Sequence, residues 1–211
     1  MPSDVPPSGA TAPDAPAMAG PGPTAEADAS RPAAGALPDA PLLPILLVPD
    51  ARLRMKTRAV GPGDADAVRD LAPRMLATMY RAPGIGLAAP QVGALLRLCV
   101  VDIQKGDARD PMVLVNPEIV AQSDEIAVHE EGCLSLPGQY ADVARPARVK
   151  VRYQDLGGAR REVEADGLLA TCLQHEIDHL DGILFVDHLS ALKRNMILRR
   201  LAKELKAKAR G

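Results

Sequence analysis

Aromatic residues are scarce in this chain of 211 residues, which has no tryptophan and only 2% aromatic residues in total. Proteins that bind single-stranded nucleic acid stack the bases on aromatic side chains, so the composition argues against this class of function. An excess of one charge is lacking as well, since 25 basic residues balance 27 acidic ones. Without a net positive charge the chain has no general attraction for polyanions, and we expect no direct sequence-specific contact with nucleic acid.

Long apolar runs and a disulfide framework are also missing. The longest apolar candidate, Leu42 to Val48, is interrupted by Pro44 and falls far short of the ~20 residues that span a bilayer. The three cysteines are an odd number and no signal-peptide pattern precedes them, so we expect free thiols in a reducing compartment. The first basic residue is Arg31, which argues against a transit peptide. These absences predict a soluble cytoplasmic protein that does not enter a membrane.

Proline is plentiful, and its distribution divides the chain. More than half of the 20 prolines precede residue 45, where they alternate with Ala, Gly, Ser and Asp and with few large apolar residues. Such a segment cannot bury enough apolar surface to offset the entropy lost on ordering. We therefore predict that residues 1–42 form a disordered Pro/Ala-rich extension, and we favour a solvated tail over a partner-binding segment. Order is predicted from residue 43 to residue 211.

Periodicity in the rest of the chain predicts both helices and strands. After the breaker Gly61 to Gly63, Asp64 is a candidate N-cap for a helix with one apolar face. This face consists of Val68, Leu71, Met75, Leu76 and Met79. Strand-like runs follow at residues 98–103, 112–116, 149–154 and 161–165. Gly157 and Gly158 are predicted to form a hairpin turn between the last two runs.

Two further helical patterns lie in the last quarter of the chain. One begins at Gly167 and is closed by Gly182. The other, residues 190–208, carries seven Lys or Arg residues against a single acid, Glu204. Its residues predicted to be buried are Leu192, Met196, Ile197, Leu201 and Leu205. This last helix is therefore a local basic surface in a chain of nearly neutral charge.

The helix that begins at Gly167 carries the run His-Glu-Ile-Asp-His, from His175 to His179. Residues four apart on a helix stand above one another, so both imidazoles can reach one cation. Glu176 points about 100° around the helix, where it does not compete as a ligand but can serve a water as general base. The alternative to a metal site is that both histidines are ordinary surface residues of a polar helix. Asp178 is either a carboxylate that holds an imidazole N–H or a solvated residue.

A catalytic metal of this kind needs a third protein ligand and an open position for water. Cys172 lies one turn before His175 on the same helix and would approach the ion at a poor angle. Cys133 lies on a strand-to-loop segment that can reach the helix across a cleft. Cys99 stands in an apolar strand, where a buried thiol is expected. The residues alone leave both Cys133 and Cys172 open as the third ligand.

Three segments together resemble the peptide deformylase family, and they occur in the family's order. They are Gly84 to Gln91 (Gly-Ile-Gly-Leu-Ala-Ala-Pro-Gln), Glu131 to Ser135 (Glu-Gly-Cys-Leu-Ser) and Gln174 to His179 (Gln-His-Glu-Ile-Asp-His). The likeness covers residues 43–211. It implies that these residues form a peptide deformylase catalytic domain. It implies the metal ligands Cys133, His175 and His179. The implied metal is Fe(II), while zinc, nickel and cobalt also suit a thiolate beside two imidazoles.

The resemblance also implies a reaction, which is removal of the N-formyl group from the formyl-methionine of nascent polypeptides with release of formate. Glu176 would act as general acid and base. The Gln91 side-chain amide and the Leu134 N–H would stabilise the charge on the formyl oxygen. Around them, Ile85 and Gly86 would pair with the substrate backbone, and Cys172 would form a wall of the methionine pocket.

Other roles for these residues follow from the sequence without the resemblance. Gln91 can be a loop-capping amide, and the glycines near it can be turn residues.

The resemblance further suggests an ion pair between Glu131 and Arg145 under the cysteine loop. Tyr140 departs from the family pattern, because many bacterial members carry an arginine near the substrate path at this place.

Two other functions stay open. A zincin-like metallopeptidase would share the helix with its two histidines, but His188, the only downstream histidine, lacks the spacing of a third ligand. A non-catalytic metal-binding, ribosome-associated protein would use the basic C-terminal helix instead. This helix is either a ribosome-docking surface, as in bacterial relatives, or a solvated face. The predicted fold class is α+β, with antiparallel sheets around a central metal-binding helix, an N-terminal helix and a C-terminal helix.

Overall fold

A computed structural model describes residues 40–104 and 109–209 of the chain. Most of the predicted disordered extension, residues 1–39, lies outside the described residues. The helices are α1 (Ala65–Arg81), α2 (Gly167–Leu180) and α3 (Ala191–Lys208). The strands are β1 (Gly86–Ala88), β2 (Leu98–Val101), β3 (Met112–Gln122), β4 (Ile126–Gly132), β5 (Tyr140–Pro146), β6 (Arg148–Gln154) and β7 (Arg160–Asp166).

Five strands form an antiparallel sheet in the order β1-β2-β3-β6-β7, and β4 and β5 form a separate antiparallel pair. Helix α2 packs against strands of the larger sheet and also against β4. The helix is therefore central, with α1 before it and α3 after it. This arrangement confirms the predicted α+β fold class. Among the described residues, no helix is long and apolar enough to cross a membrane.

Strand β2 is buried on both faces, because a helix covers each side of the sheet there. Leu98 and Val100 pack in a cluster with the apolar face of α1, whereas Cys99 and Val101 pack in a cluster with α2. Alternation of side chains along a strand accounts for this division. A third apolar cluster joins β5 to α3. The sheet thus fixes α2 from one side, and the β4–β5 pair meets it from another.

The boundaries of several elements differ from those predicted. Strands β1 and β5 are absent from the sequence-based expectations, β4 is anticipated only as the strand segment before Cys133, and β3 continues six residues beyond the predicted run. The hairpin turn at Gly158 is confirmed, and this glycine has a φ of 85°. Asp64 is the N-cap of α1 by position, but its carboxylate accepts from the Gly61 N–H and pairs with Arg58 instead of capping the helix.

Two apolar residues of α3 are not buried. Leu192 is 77% exposed and Met196 is 62% exposed, so the prediction that they face the core is wrong. Ile197 and Leu201 are buried as predicted. The helix contacts the rest of the fold along a narrower stripe than its sequence allows, since it lies at the surface over the third cluster.

Candidate metal centre

Side chains from the end of β4 and from α2 converge below a cleft. Cys133 follows β4, and His175 and His179 lie on neighbouring turns of α2. One ligand atom of each residue lies within 4.8 Å of the others, and Sγ of Cys133 is 3.2 Å from Nε2 of His179. Both imidazoles are buried, and their ring centroids are 4.9 Å apart in an edge-to-face arrangement. A thiolate and two imidazoles suit a divalent transition metal, so these residues could hold such an ion.

His175 is oriented by a carboxylate on β4. Oε2 of Glu131 lies 2.8 Å from Nδ1 of His175, which leaves Nε2 of that ring for the cluster. Arg145 on β5 donates to both oxygens of Glu131, at 2.5 and 3.0 Å. Burial by itself would raise the pKa of Glu131, but the hydrogen bonds from His175 and Arg145 outweigh it and lower this pKa to about 2. The ion pair suggested for Glu131 and Arg145 is therefore confirmed.

The polar network extends from Arg145 toward the surface. Nη1 of Arg145 donates to Oδ2 of Asp178 at 2.8 Å, and Nε2 of His188 lies 2.7 Å from the same oxygen. Asp178 thus holds an imidazole, but that of His188 and not one of the clustered histidines. Nδ1 of His175 is occupied by Glu131 on the facing strand, and Nδ1 of His179 is buried with no hydrogen-bond partner among the described residues. His188 lies outside the group of candidate ligands.

Glu176 stands beside the cluster with one oxygen unused. The residue is 4% exposed, and its Oε2 has no hydrogen-bond partner within residues 40–104 and 109–209. Burial raises the pKa of Glu176 to about 7. A Cβ at Gly86 would lie 2.3 Å from Oε1 of Glu176, so only glycine lets β1 approach this carboxyl group so closely. A carboxyl group that titrates near neutrality can both take and give a proton.

The two ends of the Gln91 side-chain amide make different contacts. Its Oε1 accepts from the Ala88 N–H at 2.8 Å, which caps the short helical turn Ala89–Val92. Its Nε2 faces the other way, 3.2 Å from Oγ of Ser135 and 3.5 Å from Sγ of Cys133. Because the first contact fixes the amide, the second end is held toward the candidate ligands. Leu134 lies beside them, with its side chain close to Gly84.

A cavity of about 440 Å³ opens above the cluster, and Ile85, Gly86, Leu134 and Cys172 are among its lining residues. Sγ of Cys172 points to the carbonyl oxygen of Ile85 at 3.5 Å. Burial raises the pKa of the Cys172 thiol well above its ordinary value. Cys172 is therefore a neutral wall residue, and it stands apart from the group that could hold a metal. Cys99 is buried in β2, as predicted.

Several contacts around the centre do not appear in the sequence-based expectations. The N–H of Leu46 donates to the Gln91 carbonyl at 2.7 Å, and the N–H of Val48 donates to the Ser135 carbonyl at 3.0 Å. The apolar segment before α1 therefore ties together the two loops that carry Gln91 and Cys133. Backbone hydrogen bonds of this kind leave no signal in side-chain chemistry.

A thiol and two imidazoles beside a buried carboxyl group, at the floor of a cleft in an α+β fold, define the class of mononuclear metallohydrolases. Comparison with known proteins narrows this class. A sequence model of polypeptide deformylase matches residues 42–195. The chain is 51% identical to the peptide deformylase of Agrobacterium fabrum over 166 residues, which are 78% of this chain and 97% of that protein. It is 54% identical to that of Rhizobium meliloti over 169 residues, which are 80% and 95% of the two chains. The chain belongs to the polypeptide deformylase family.

Solved structures agree with this membership. A peptide deformylase from Legionella pneumophila is 47% identical and superimposes with a TM-score of 0.75, covering 81% of this chain and 99% of that one. A peptide deformylase from Synechococcus elongatus in complex with actinonin is 44% identical with a TM-score of 0.71, covering 77% and 89%. The predicted family, fold class and hydrolase function are confirmed. A zincin-like peptidase and a non-catalytic metal-binding protein are the less well supported alternatives.

Proposed function

We propose that this chain removes the N-formyl group from the formyl-methionyl end of nascent polypeptides and releases formate. The observation that carries the proposal is Oε2 of Glu176, which has no hydrogen-bond partner in the described part of the chain and is buried beside three candidate ligands at the floor of an open cleft. Family membership supports the choice of substrate. The catalytic domain would comprise residues 43–211, and the extension of residues 1–42 would take no part in catalysis.

Cys133, His175 and His179 would hold one divalent transition metal. Fe(II) is our first choice because of the family resemblance, and zinc, nickel or cobalt would suit the same donors. The fit is supported by the close approach of the three donor atoms and by the carboxylate that fixes the His175 ring. When bound, such an ion lowers the pKa of a water and polarises a carbonyl oxygen.

Glu176 would act first as general base and then as general acid. Its carboxylate takes a proton from the water that attacks the formyl carbon, and the resulting carboxylic acid gives that proton to the leaving amine. A pKa of about 7 supports both steps, because neither protonation state is strongly disfavoured near neutral pH. Acid–base catalysis of this kind contributes ~10²- to 10⁴-fold in rate.

Two donors would stabilise the negative charge on the formyl oxygen. Nε2 of Gln91 is held toward the cluster because its Oε1 is fixed by the Ala88 N–H. Leu134 directly follows Cys133 in the chain and lines the same cavity, and its backbone N–H would be the second donor. Loss of one such donor typically costs ~10²- to 10³-fold in rate.

The substrate backbone would pair with β1. This strand stands at the edge of the five-stranded sheet, where an extended peptide can be added alongside it, while the Ala88 N–H is already held by Oε1 of Gln91. Ile85 and Gly86 lie at this edge next to Glu176, which would bring the first residue of the peptide to the centre. Cys172 would close the pocket for the methionine side chain.

Helix α3 would dock on the ribosome, near emerging chains. Its Lys and Arg side chains suit a surface of phosphate groups, and Leu192 and Met196 are exposed beside them. We also infer a cytoplasmic location, where nascent formylated chains are the substrate.

The test is formate release from formyl-Met-Ala, measured together with the metal content of anaerobically purified protein. We expect Glu176→Gln to lose at least ~100-fold in rate while it keeps its metal. Glu118→Gln, on an exposed part of β3 away from the cavity, is the matched control and should behave as the unaltered chain. Full activity of Glu176→Gln would overturn the mechanism, and internal cleavage of unformylated peptides would favour a metallopeptidase.

A further inference from the structure

The outer face of the β4–β5 pair begins where the cleft ends. Side chains alternate along both strands, so Glu131 and Arg145 point inward while Glu130, Tyr140 and Asp142 are exposed on the outside. Glu130 and Tyr140 also line the cavity that holds Glu176. The outer face is thus continuous with the proposed substrate cleft.

Tyr140 offers an exposed aromatic ring at this junction. It stands opposite Gly132 in the strand register and is 63% exposed. A Cβ at Gly132 would lie 2.5 Å from Cε1 of Tyr140, so the ring rests directly against the glycine backbone. One side of the ring is therefore supported by the strand, and the rest is open to solvent. Aromatic faces of this kind attract cations.

Two like charges lie beside the ring. Glu130 and Asp142 are direct partners in the register of β4 and β5, and both are exposed. Across the two described ranges of the chain, neither carboxylate forms a hydrogen bond or an ion pair. Like charges placed directly opposite each other destabilise a strand pair. A cation bound between them would remove this repulsion.

We propose that Tyr140, Glu130 and Asp142 select substrates with a Lys or Arg side chain downstream of the formyl-methionine. The inference rests on the proposed function, because the peptide reaches this patch only if its first residue enters the cleft. Glu130 and Tyr140 line the same cavity as Glu176, whose buried Oε2 has no hydrogen-bond partner among the described residues, so a polar ligand that reaches this oxygen passes the patch. The cation would stack on the ring and pair with the two carboxylates.

The test compares matched formyl-methionyl pentapeptides that carry Lys, norleucine or Glu at position 2, 3 or 4. Norleucine keeps the aliphatic stem of Lys and removes the charge. At one of these positions we expect kcat/KM for the Lys peptide to be ~5- to 10-fold higher than for the norleucine peptide. This ratio corresponds to the combined free energy of an exposed cation–π contact and exposed ion pairs. The Glu peptide should be slower than both. The Lys advantage should shrink at high salt, because exposed charges are screened.

Three variants assign the preference to the patch. The double variant Glu130→Gln with Asp142→Asn should bring the Lys-to-norleucine ratio close to one. Tyr140→Leu keeps both charges and should lower the ratio only in part. Glu118→Gln removes an exposed strand carboxylate outside the cavity and should leave the ratio as it is. Thermal unfolding of each variant establishes that the fold is kept.

The outcomes separate the two proposals. Equal kcat/KM for Lys, norleucine and Glu at all three positions overturns this inference and leaves the proposed function intact. A Lys preference that survives the double variant overturns its assignment to Glu130 and Asp142. Absence of formate release from every peptide overturns the proposed function, and the inference falls with it.

Discussion

Gly86 offers a direct way to displace Glu176 without changing any ionisable group. A Cβ placed at Gly86 would lie 2.3 Å from Oε1 and 2.8 Å from Cδ of Glu176, and 2.9 Å from Sγ of Cys172. Ordinary van der Waals contact begins at 3.4 Å. In Gly86→Ala the carboxylate oxygen of Glu176 must therefore move by about 1 Å. The new methyl group occupies its present position, and the surrounding side chains are already closely packed.

The size of the effect follows from this displacement. A misplacement of about 1 Å at a catalytic group costs roughly 10²-fold in rate, so we expect kcat to fall by about that factor. Overpacking of a tight site costs ~1–3 kcal/mol of unfolding free energy, which leaves the protein folded. The three atoms nearest to the new methyl group belong to Glu176 and Cys172 and not to the candidate metal ligands, so metal content should be unchanged.

The assay measures formate release, metal content and urea unfolding side by side. Gly63→Ala is the matched control, because a Cβ there meets nothing within 4 Å and should change neither rate nor metal content. A Gly86→Ala protein with unaltered kcat would refute the argument that this carboxyl group needs its present position. Loss of metal from the same variant would show that the damage acts through the ligands.

Three further predictions concern the rest of the centre and the C-terminal helix. Arg145→Met removes the buried guanidinium that pairs with Glu131 and Asp178, so unfolding free energy in urea should fall by ~3–5 kcal/mol, and an unchanged value would contradict the buried network. Leu201→Ala should cost ~2–5 kcal/mol, whereas Leu192→Ala should stay within about 0.5 kcal/mol in the same experiment; equal losses would contradict the packing of α3. Cys133→Ser should lose the metal while Cys172→Ser keeps it, as measured by metal analysis, and the reverse result would exchange the roles proposed for the two thiols.

The helix with the two histidines could be predicted because its information is local. Positions four apart meet on any helix, so His175 and His179 are placed together by spacing alone. The position of Glu176 follows from the same geometry, since it is one residue from His175 and still near the two imidazoles. The burial of that glutamate, which raises its pKa, depends on Gly86 and on the sheet behind it. Spacing carries no information about such surroundings.

The third member of the cluster could not be chosen from spacing. Cys133 and Cys172 are both thiols that local patterns allow, and only the pairing of β4 with β5 brings Cys133 across to α2. The partner of His175 presents the same difficulty. Asp178 is near in sequence, but Glu131 is near in space, and it makes the contact. Long-range strand pairing determines both the third candidate ligand and the partner of His175. This pairing could not be predicted from a single sequence.

The bounds and the buried face of strand β4 could not be predicted because its pattern is inverted. Ile126 and Val128 are exposed, at 57% and 62%, while Glu131 on the opposite face is buried. A half-buried strand normally places apolar residues inside and charges outside. The alternation in β4 therefore predicts that the face carrying Ile126 and Val128 is buried, which is the wrong face. The inner charge is retained because it orients His175 and pairs with Arg145. Conflict between local pattern and final structure is expected at functional sites. On β4 the buried Glu131 is such a conflict, and it lies where we propose that the chain holds its metal.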